Sequence, residues 1–211
     1  MSMRIRANFA KTEHMRFTSH LDLYRAWERL LRRTGLPVSF SQGYNPRPRL
    51  QLAAPLPLGI TSQCEIIDFW LASVPNTSRT INSLLQEAQP PGIDVQDAYE
   101  VEDNSPTLQK HVIAAEYIAE LHEKIHDFPA KIDSLLNSKS IIRQRREKSY
   151  DLRPLILDLK RTPLEGPGLD GLFMRLDARE GSTGRPEEVL LSLNIQPEEA
   201  SIQRIKLIIK E

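Results

Sequence analysis

Residues 16–50 read RFTSHLDLYRAWERLLRRTGLPVSFSQGYNPRPRL, and this order of polar, amphipathic and turn-forming residues decides the fold around it. Ser19-His-Leu-Asp22 has the spacing of a capping box. The serine hydroxyl accepts from the third helical N–H, and the aspartate reaches back to the serine N–H. Leu21, Tyr24, Trp27, Leu30 and Leu31 recur at three- and four-residue steps. That period predicts a helix over 20–34 with one apolar face, leaving Arg25, Arg29, Arg32 and Arg33 on the flanks and the far side. Gly35 stops the helix and Pro37 prevents its resumption. Val38–Ser41 reads as a short strand, and Gly43-Tyr-Asn-Pro46 as a turn.

Working outward, Arg4–Phe17 alternates as a strand before the helix, and a second extended piece follows at 49–54. Pro55-Leu-Pro57-Leu-Gly59 cannot be central strand, because neither proline has a ladder donor. Cys64–Leu71 reads as a buried strand. Ser78 is placed to cap a helix with Ile81, Leu84, Leu85 and Ala88 inside, which Pro90-Pro91-Gly92 ends. Ile93–Val101 is a strand, and Glu102–Pro106 a linker. The pattern then restarts. His111–Leu121 alternates, and Asp127 is placed to cap a helix containing Ile132, Leu135 and Leu136. Ser140–Lys148 and Leu152–Lys160 read as strands around a kink at Arg153-Pro154. A loop at Gly166-Pro-Gly168 and Gly171 precedes a strand over Leu172–Ala178. Pro186 opens a short helix through Leu193, and Ser201–Lys210 closes the chain as a strand. The expected fold is α+β: two ferredoxin-like β-α-β-β-α-β halves, 1–104 and 105–211, each an antiparallel sheet with helices on one face.

The 211 residues are 40% hydrophobic and 27% charged, enough apolar content for a packed core. There is no apolar run of about 18 residues to span a membrane. MSMRIRANF lacks the apolar segment of a signal peptide. Cys64 is alone, which rules out an intrachain disulfide and fits a reducing, cytoplasmic setting. The formal net charge of zero hides an asymmetry. Residues 1–49 carry ten Lys/Arg against three Asp/Glu, and residues 50–109 carry one against eight. A second basic island, 139–161, has eight against three. Local potential, not the average, decides where a phosphate sits. The acidic block at 65–103 is then a candidate face for a protein partner.

Several chemistries are weak or absent. His122-Glu-Lys-Ile-His126 matches H-E-x-x-H, but Asp127 and Pro129 place a helix start after it, so the histidines fall in a connection and no metal site is expected. One cysteine cannot hold an iron–sulfur cluster. No P-loop motif is present, and Cys64 opens an apolar strand, where thiols are inert packing. No cofactor is expected on this chain. The candidate surface for a nucleic acid or anion combines Ser19, His20, Arg25 and Arg29 with Ser41, Gln42, Tyr44, Asn45, Arg47 and Arg49. Tyr44 is either loop packing or a platform for a stacked base. His20 and Asp22 are the candidates for acid–base work, against plainer roles as a helix-start residue and a capping partner. Arg143 and Arg145 share one face of a strand over 140–148, and Arg146 and Lys148 the other.

The segments RFTSHLDLYRAWERLLRRTGLPVSFSQGYNPRPRLQLAAPLPLG, CEIIDFWL and RQRREKSYDLRPLI resemble the radical-SAM-linked proteins, a bacterial family classed as a domain of unknown function. The likeness rests on R-F-x-S-H-x-D, F-S-x-G-x-N-P and P-L-x-x-G, and it covers nearly the whole chain. It implies a partner, because members occur beside or fused to a radical SAM enzyme with a cobalamin-binding domain. It implies no reaction. The expected function is therefore a non-catalytic RNA-binding or substrate-presenting accessory to such an enzyme, with tRNA and rRNA as candidate RNAs. One alternative is an RNA-acting enzyme built on His20. The other is a protein-interaction module without nucleic acid.

Overall fold

The computed structural model describes residues 3–210 apart from 76, 78, 103–105, 146 and 165–169. The chain divides into two compact units, Met1–His111 and Val112–Glu211. Each combines helices with an antiparallel sheet, an α+β architecture.

The first unit contains β1 (Met3–Lys11), α1 (His20–Thr34), β2 (Leu50–Leu52), β3 (Ile60–Leu71), α2 (Ile81–Ala88), β4 (Ile93–Val101) and a single turn of helix, α3 (Leu108–His111). Its strands are ordered β4-β1-β3-β2, every neighbour antiparallel. Ile5 lies opposite Phe69 and Ala7 opposite Ile67. These residues, with Phe9, Leu50 and Leu52, form a core with α1 and α2. Trp27 is fully buried there, its ring edge-on to Phe9 with centroids 4.9 Å apart. The buried face of α1 is Leu23, Ala26, Trp27, Leu30 and Leu31. Leu21, expected inside, is 68% exposed, because it sits about 200° around the helix from Leu23. The cap expected of Ser78 falls outside the described residues. Thr80 caps α2, its hydroxyl accepting from the Ser83 N–H at 3.1 Å.

Alternation sends a different set of side chains to the other face of this sheet. Asp68, fully buried, accepts from Arg4 (Nε 3.0 Å, Nη2 2.6 Å) and Arg6 (Nε 2.8 Å, Nη2 3.0 Å). The Trp70 ring lies under the Arg4 and Arg49 guanidiniums at 5.2 and 4.8 Å. Gln51 accepts from the Leu108 N–H, tying α3 to this side. The acidic block is therefore not one surface. Glu65 and Asp68 are buried, whereas Asp94, Asp97 and Glu100 are exposed on β4, which pairs with β1 alone among the described strands. Charges along such a strand discourage edge-to-edge pairing with other chains.

The second unit contains β5 (Val112–Leu121), α4 (Phe128–Leu136), β6 (Ile142–Arg145), β7 (Lys148–Asp151), β8 (Ile156–Pro163), β9 (Asp170–Arg179), β10 (Ser182–Thr183), α5 (Pro186–Ser192) and β11 (Ala200–Ile209). Its main sheet is ordered β11-β5-β9-β8, again antiparallel throughout. The single strand expected over 140–148 is instead a hairpin, β6–β7, turning before Lys148. The next strand starts at Ile156, after a 3-10 turn that takes up Pro154. Asp127 stands at the N-cap of α4 but makes no side-chain capping bond. Its carboxylate meets His126 Nδ1 at 2.9 Å instead. The expected loop at Gly166-Pro-Gly168 lies outside the described residues. Among the described residues, no helix is long and apolar enough to cross a membrane.

Candidate functional site

Ser19 caps α1 through a local reciprocal arrangement. Its Oγ accepts from the Asp22 N–H at 3.2 Å and donates to Asp22 Oδ2 at 2.7 Å. The aspartate thus bonds the serine hydroxyl, not the serine N–H that a capping box would use. Asp22 also accepts from Arg25 Nη1 at 3.2 Å. The Ser19 hydrogen bond above all, helped by Arg25 and the Arg29 charge, holds the Asp22 carboxyl below its ordinary range against the opposing effect of desolvation. His20 is half-buried in the first turn of the helix.

What fixes this turn is Lys11, which sequence reasoning missed. It is 1% exposed at the end of β1. Its ammonium donates to the carbonyls of Arg16 (3.1 Å), Thr18 (3.2 Å) and Ile60 (3.3 Å). Arg16 Nε donates to Gly59 O at 2.8 Å, and Gly59 N–H returns a bond to Arg16 O at 3.0 Å. The R-F-T-S-H and P-L-P-L-G segments are thereby pinned together. Gly59 has a φ of +79°, a left-handed conformation that favours glycine. Phe17, Leu21 and Leu58 are exposed at this end of the unit, by 77%, 68% and 58%. A signal for Lys11 was present: it is in phase with Ile5, Ala7 and Phe9, the core-facing residues of its strand.

The loop expected beside Ser19 and His20 belongs to a hairpin. Residues 38–49 form a short hairpin: Ser41 N–H donates to Arg47 O, Arg49 N–H donates to Ser39 O, and Phe40 bridges Pro48. It is rooted where α1 ends, with Ser39 and Arg49 both bonded to the Trp70 backbone and Ala72 to Pro37. Among the described residues, Val38–Ser41, expected as a short strand, meets β3 only through the Val38–Leu71 bridge and the Ser39–Trp70 bond. β2 begins at Leu50, and the connection after it, 53–59, is bonded through Gly59 to Arg16 in the turn before α1.

The hairpin lies along the flank of α1. Glu28, Leu31 and Arg32 of the helix line a cavity of about 160 Å³ with Phe40 and Pro48. Burial, aided by the Glu28 charge, holds the Tyr24 hydroxyl above the usual phenol range, and the Arg47 charge opposes them. At the hairpin, Ser41 Oγ accepts from Arg47 N–H at 3.1 Å. Gln42, Tyr44, Asn45 and Arg47 are exposed, and Tyr44 fully so. Arg25, Arg29 and Arg32 are exposed on the outer side of α1. Two arginines leave this strip. Arg33 donates to Ala88 O from Nε (3.1 Å) and Nη2 (2.5 Å), and Arg49 stacks on Trp70 across the sheet. The structure thus builds a basic strip of Arg25, Arg29, Arg32 and Arg47 with Tyr44 exposed on the hairpin, and a polar turn of Ser19, His20 and Asp22 at the start of α1 that meets the strip through the Asp22–Arg25 pair.

The H-E-x-x-H residues do not converge. His122 Nε2 is 3.1 Å from Ser201 Oγ, and His126 turns to Asp127. Among the described residues, no cluster of three or more His, Cys, Asp or Glu side chains could hold a metal.

Residues 4–186 match the family described as an uncharacterised protein conserved in bacteria (DUF2344), and the chain belongs to it. No curated protein matches the chain.

Proposed function

We propose that this bacterial DUF2344 protein is a cytoplasmic, non-catalytic RNA-binding accessory that presents RNA to a radical SAM/cobalamin modification enzyme. The observation that carries the RNA half is the basic strip. Four exposed arginines on α1 and the adjoining hairpin suit a phosphate backbone, and the exposed Tyr44 ring suits a stacked base. Arg25, Arg29, Arg32 and Arg47 are all exposed, as a surface that follows a strand requires. The partner half rests on the sequence resemblance to radical-SAM-linked proteins. It is supported by Phe17, Leu21 and Leu58, apolar side chains exposed at the Lys11-pinned turn where two of the family-like motifs meet. The strand orders β4-β1-β3-β2 and β11-β5-β9-β8 support a ferredoxin-like reading of both halves, with β6–β7 as an insertion in the second.

A salt titration of single-stranded RNA affinity tests the strip. Each phosphate contact contributes a slope of about −0.7 in log K against log[salt], so Arg29→Ala with Arg47→Ala should make the slope shallower by roughly 1.4. Tyr44→Ala should weaken binding by about 1–3 kcal/mol without changing the slope. Equal slopes for wild type and the double variant would remove the strip as the phosphate site. No RNA binding at low salt, with or without the partner enzyme, would leave the protein-interaction module as the better reading.

A further inference from the structure

The second basic island of the sequence surrounds a cavity of about 890 Å³ within the second unit. The hairpin explains how its charges come together. Cross-strand partners share a face of a sheet, and the β6–β7 register pairs Arg143 with Tyr150 and Arg145 with Lys148. The turn therefore brings Lys148 to the side of Arg145, whereas a continuous strand would have sent it to the other. Arg143 is taken by α5, donating from Nε to Glu188 Oε2 at 2.6 Å. Arg145 and Lys148 instead line the cavity, and Arg185 joins them from the residue before α5. Among the described residues, none of these three cations is in a salt bridge, although the Arg185 and Arg145 charges reach the Glu187 carboxylate.

Two acids also line the cavity. Asp151 is committed to the fold, its Oδ1 accepting from Ile141 N–H (2.7 Å) and Arg153 N–H (3.0 Å). Glu147 is exposed at the hairpin turn. Tyr150 and Leu155 add an aromatic and an aliphatic wall, and Ser182 and Thr183 supply hydroxyls. The volume falls within the ~300–1,000 Å³ usual for small-molecule sites.

We propose that this cavity binds a phosphomonoester dianion on a nucleotide-sized body, with Arg145, Lys148 and Arg185 as phosphate ligands and Tyr150 and Leu155 as the wall for the attached group. Three converging cations suit a dianion better than a single carboxylate, and guanidinium forks match phosphate oxygens two at a time. The same chemistry is offered by a free nucleoside monophosphate and by the 5′-phosphate end of an RNA chain.

The experiment titrates the full chain with AMP, adenosine, and one short RNA carrying either a 5′-phosphate or a 5′-hydroxyl. The paired RNAs cancel whatever the arginine strip of the first unit contributes, so this test and the salt titration fail independently. A phosphate-dependent gain is expected, with AMP over adenosine or 5′-phosphate over 5′-hydroxyl RNA. Which pair shows the larger gain identifies the source. The gain should fall at least about tenfold in Arg145→Ala/Arg185→Ala, and it should grow from pH 5 to pH 7 as the phosphate, with a second pKa of about 6, loses its last proton. If circular dichroism shows the double variant unfolded, Lys148→Gln at the exposed end of the hairpin is measured instead, and a loss of roughly threefold or more is expected. The proposal is overturned if neither phosphate ligand saturates by about 10 mM, if the phosphate makes no difference, or if folded variants bind as wild type does.

Discussion

Replacing Lys11 by Met keeps most of the stem and removes the ammonium. The Arg16, Thr18 and Ile60 carbonyls, at 3.1, 3.2 and 3.3 Å, then lose that donor in a site where the lysine was 1% exposed. A hydrogen bond to a charged group contributes about 1.5–3 kcal/mol, and these three are long, so a total loss of roughly 3–5 kcal/mol is expected. For a unit of about 100 residues, each kcal/mol moves Tm by about 4–8 °C, so the melting point should fall by at least roughly 12 °C. Lys11→Arg should rescue only in part, because a planar guanidinium does not reproduce three divergent ammonium donors. Urea unfolding gives the free energy. Limited trypsin digestion reads the local consequence, since Arg16 is fixed through Gly59 and the Lys11 bonds. Accelerated cleavage after Arg16 should accompany the loss. A Lys11→Met protein within about 1 kcal/mol of wild type, cleaved no faster after Arg16, would refute the idea that Lys11 pins this turn.

Asp68→Asn should destabilise the first unit by about 3–5 kcal/mol, measured by urea unfolding, because two guanidiniums share this buried carboxylate. Gly92→Ala should lower Tm: φ is +98°, and a Cβ would stand 2.9 Å from Met15 Cβ and 3.0 Å from its backbone nitrogen. Burial pushes the Glu187 carboxyl above its ordinary 4.5, despite its own backbone bond and the Arg185 charge. A raised carboxyl pKa favours the folded state below the unfolded value, and the advantage is lost as pH rises through the folded one. Glu187→Gln should therefore stabilise at pH 7, with the gain shrinking towards zero below about pH 4.5 in pH-dependent thermal melts.

The elements of this fold were legible where period, caps and breakers agreed. The helix over 20–34, the strand leading to Leu71 and the strand Ile93–Val101 follow from apolar spacing with Gly35, Pro37 and Pro90-Pro91-Gly92 at the boundaries. What could not be read was whether a short extended piece joins a sheet. Val38–Ser41 and Leu50–Leu52 look alike in sequence, but only the second pairs at length with β3, through Phe69, Asp68 and Ile67. That difference depends on long-range contacts, and it makes the 41–47 turn the tip of a hairpin rooted where α1 ends. The 140–148 segment failed for a related reason: a run of alternating charges carries no apolar face to fix a register or to mark a turn.

Charge along a sequence is also not charge on a surface, and this sets the last expectation. The ten basic residues of 1–49 divide sharply once the chain folds. Arg4 and Arg6 meet Asp68, Lys11 meets three carbonyls, and Arg16 meets Gly59 and Glu13. Arg33 is held by Ala88 and Arg49 by Trp70. Only Arg25, Arg29, Arg32 and Arg47 remain on the strip, and Arg25 is shared with Asp22. At about −0.7 per phosphate, the ten charges would give a salt slope near −7, whereas the strip allows about −2.1 to −2.8. The full chain is measured, and the RNA is left without a 5′-phosphate, because one seated in the second-unit cavity would add its own salt dependence. The full chain with 5′-hydroxyl RNA isolates the strip. A slope steeper than roughly −4 under those conditions would mean that arginines now assigned to the fold, Arg33 and Arg49 first among them, release their intramolecular partners to bind RNA.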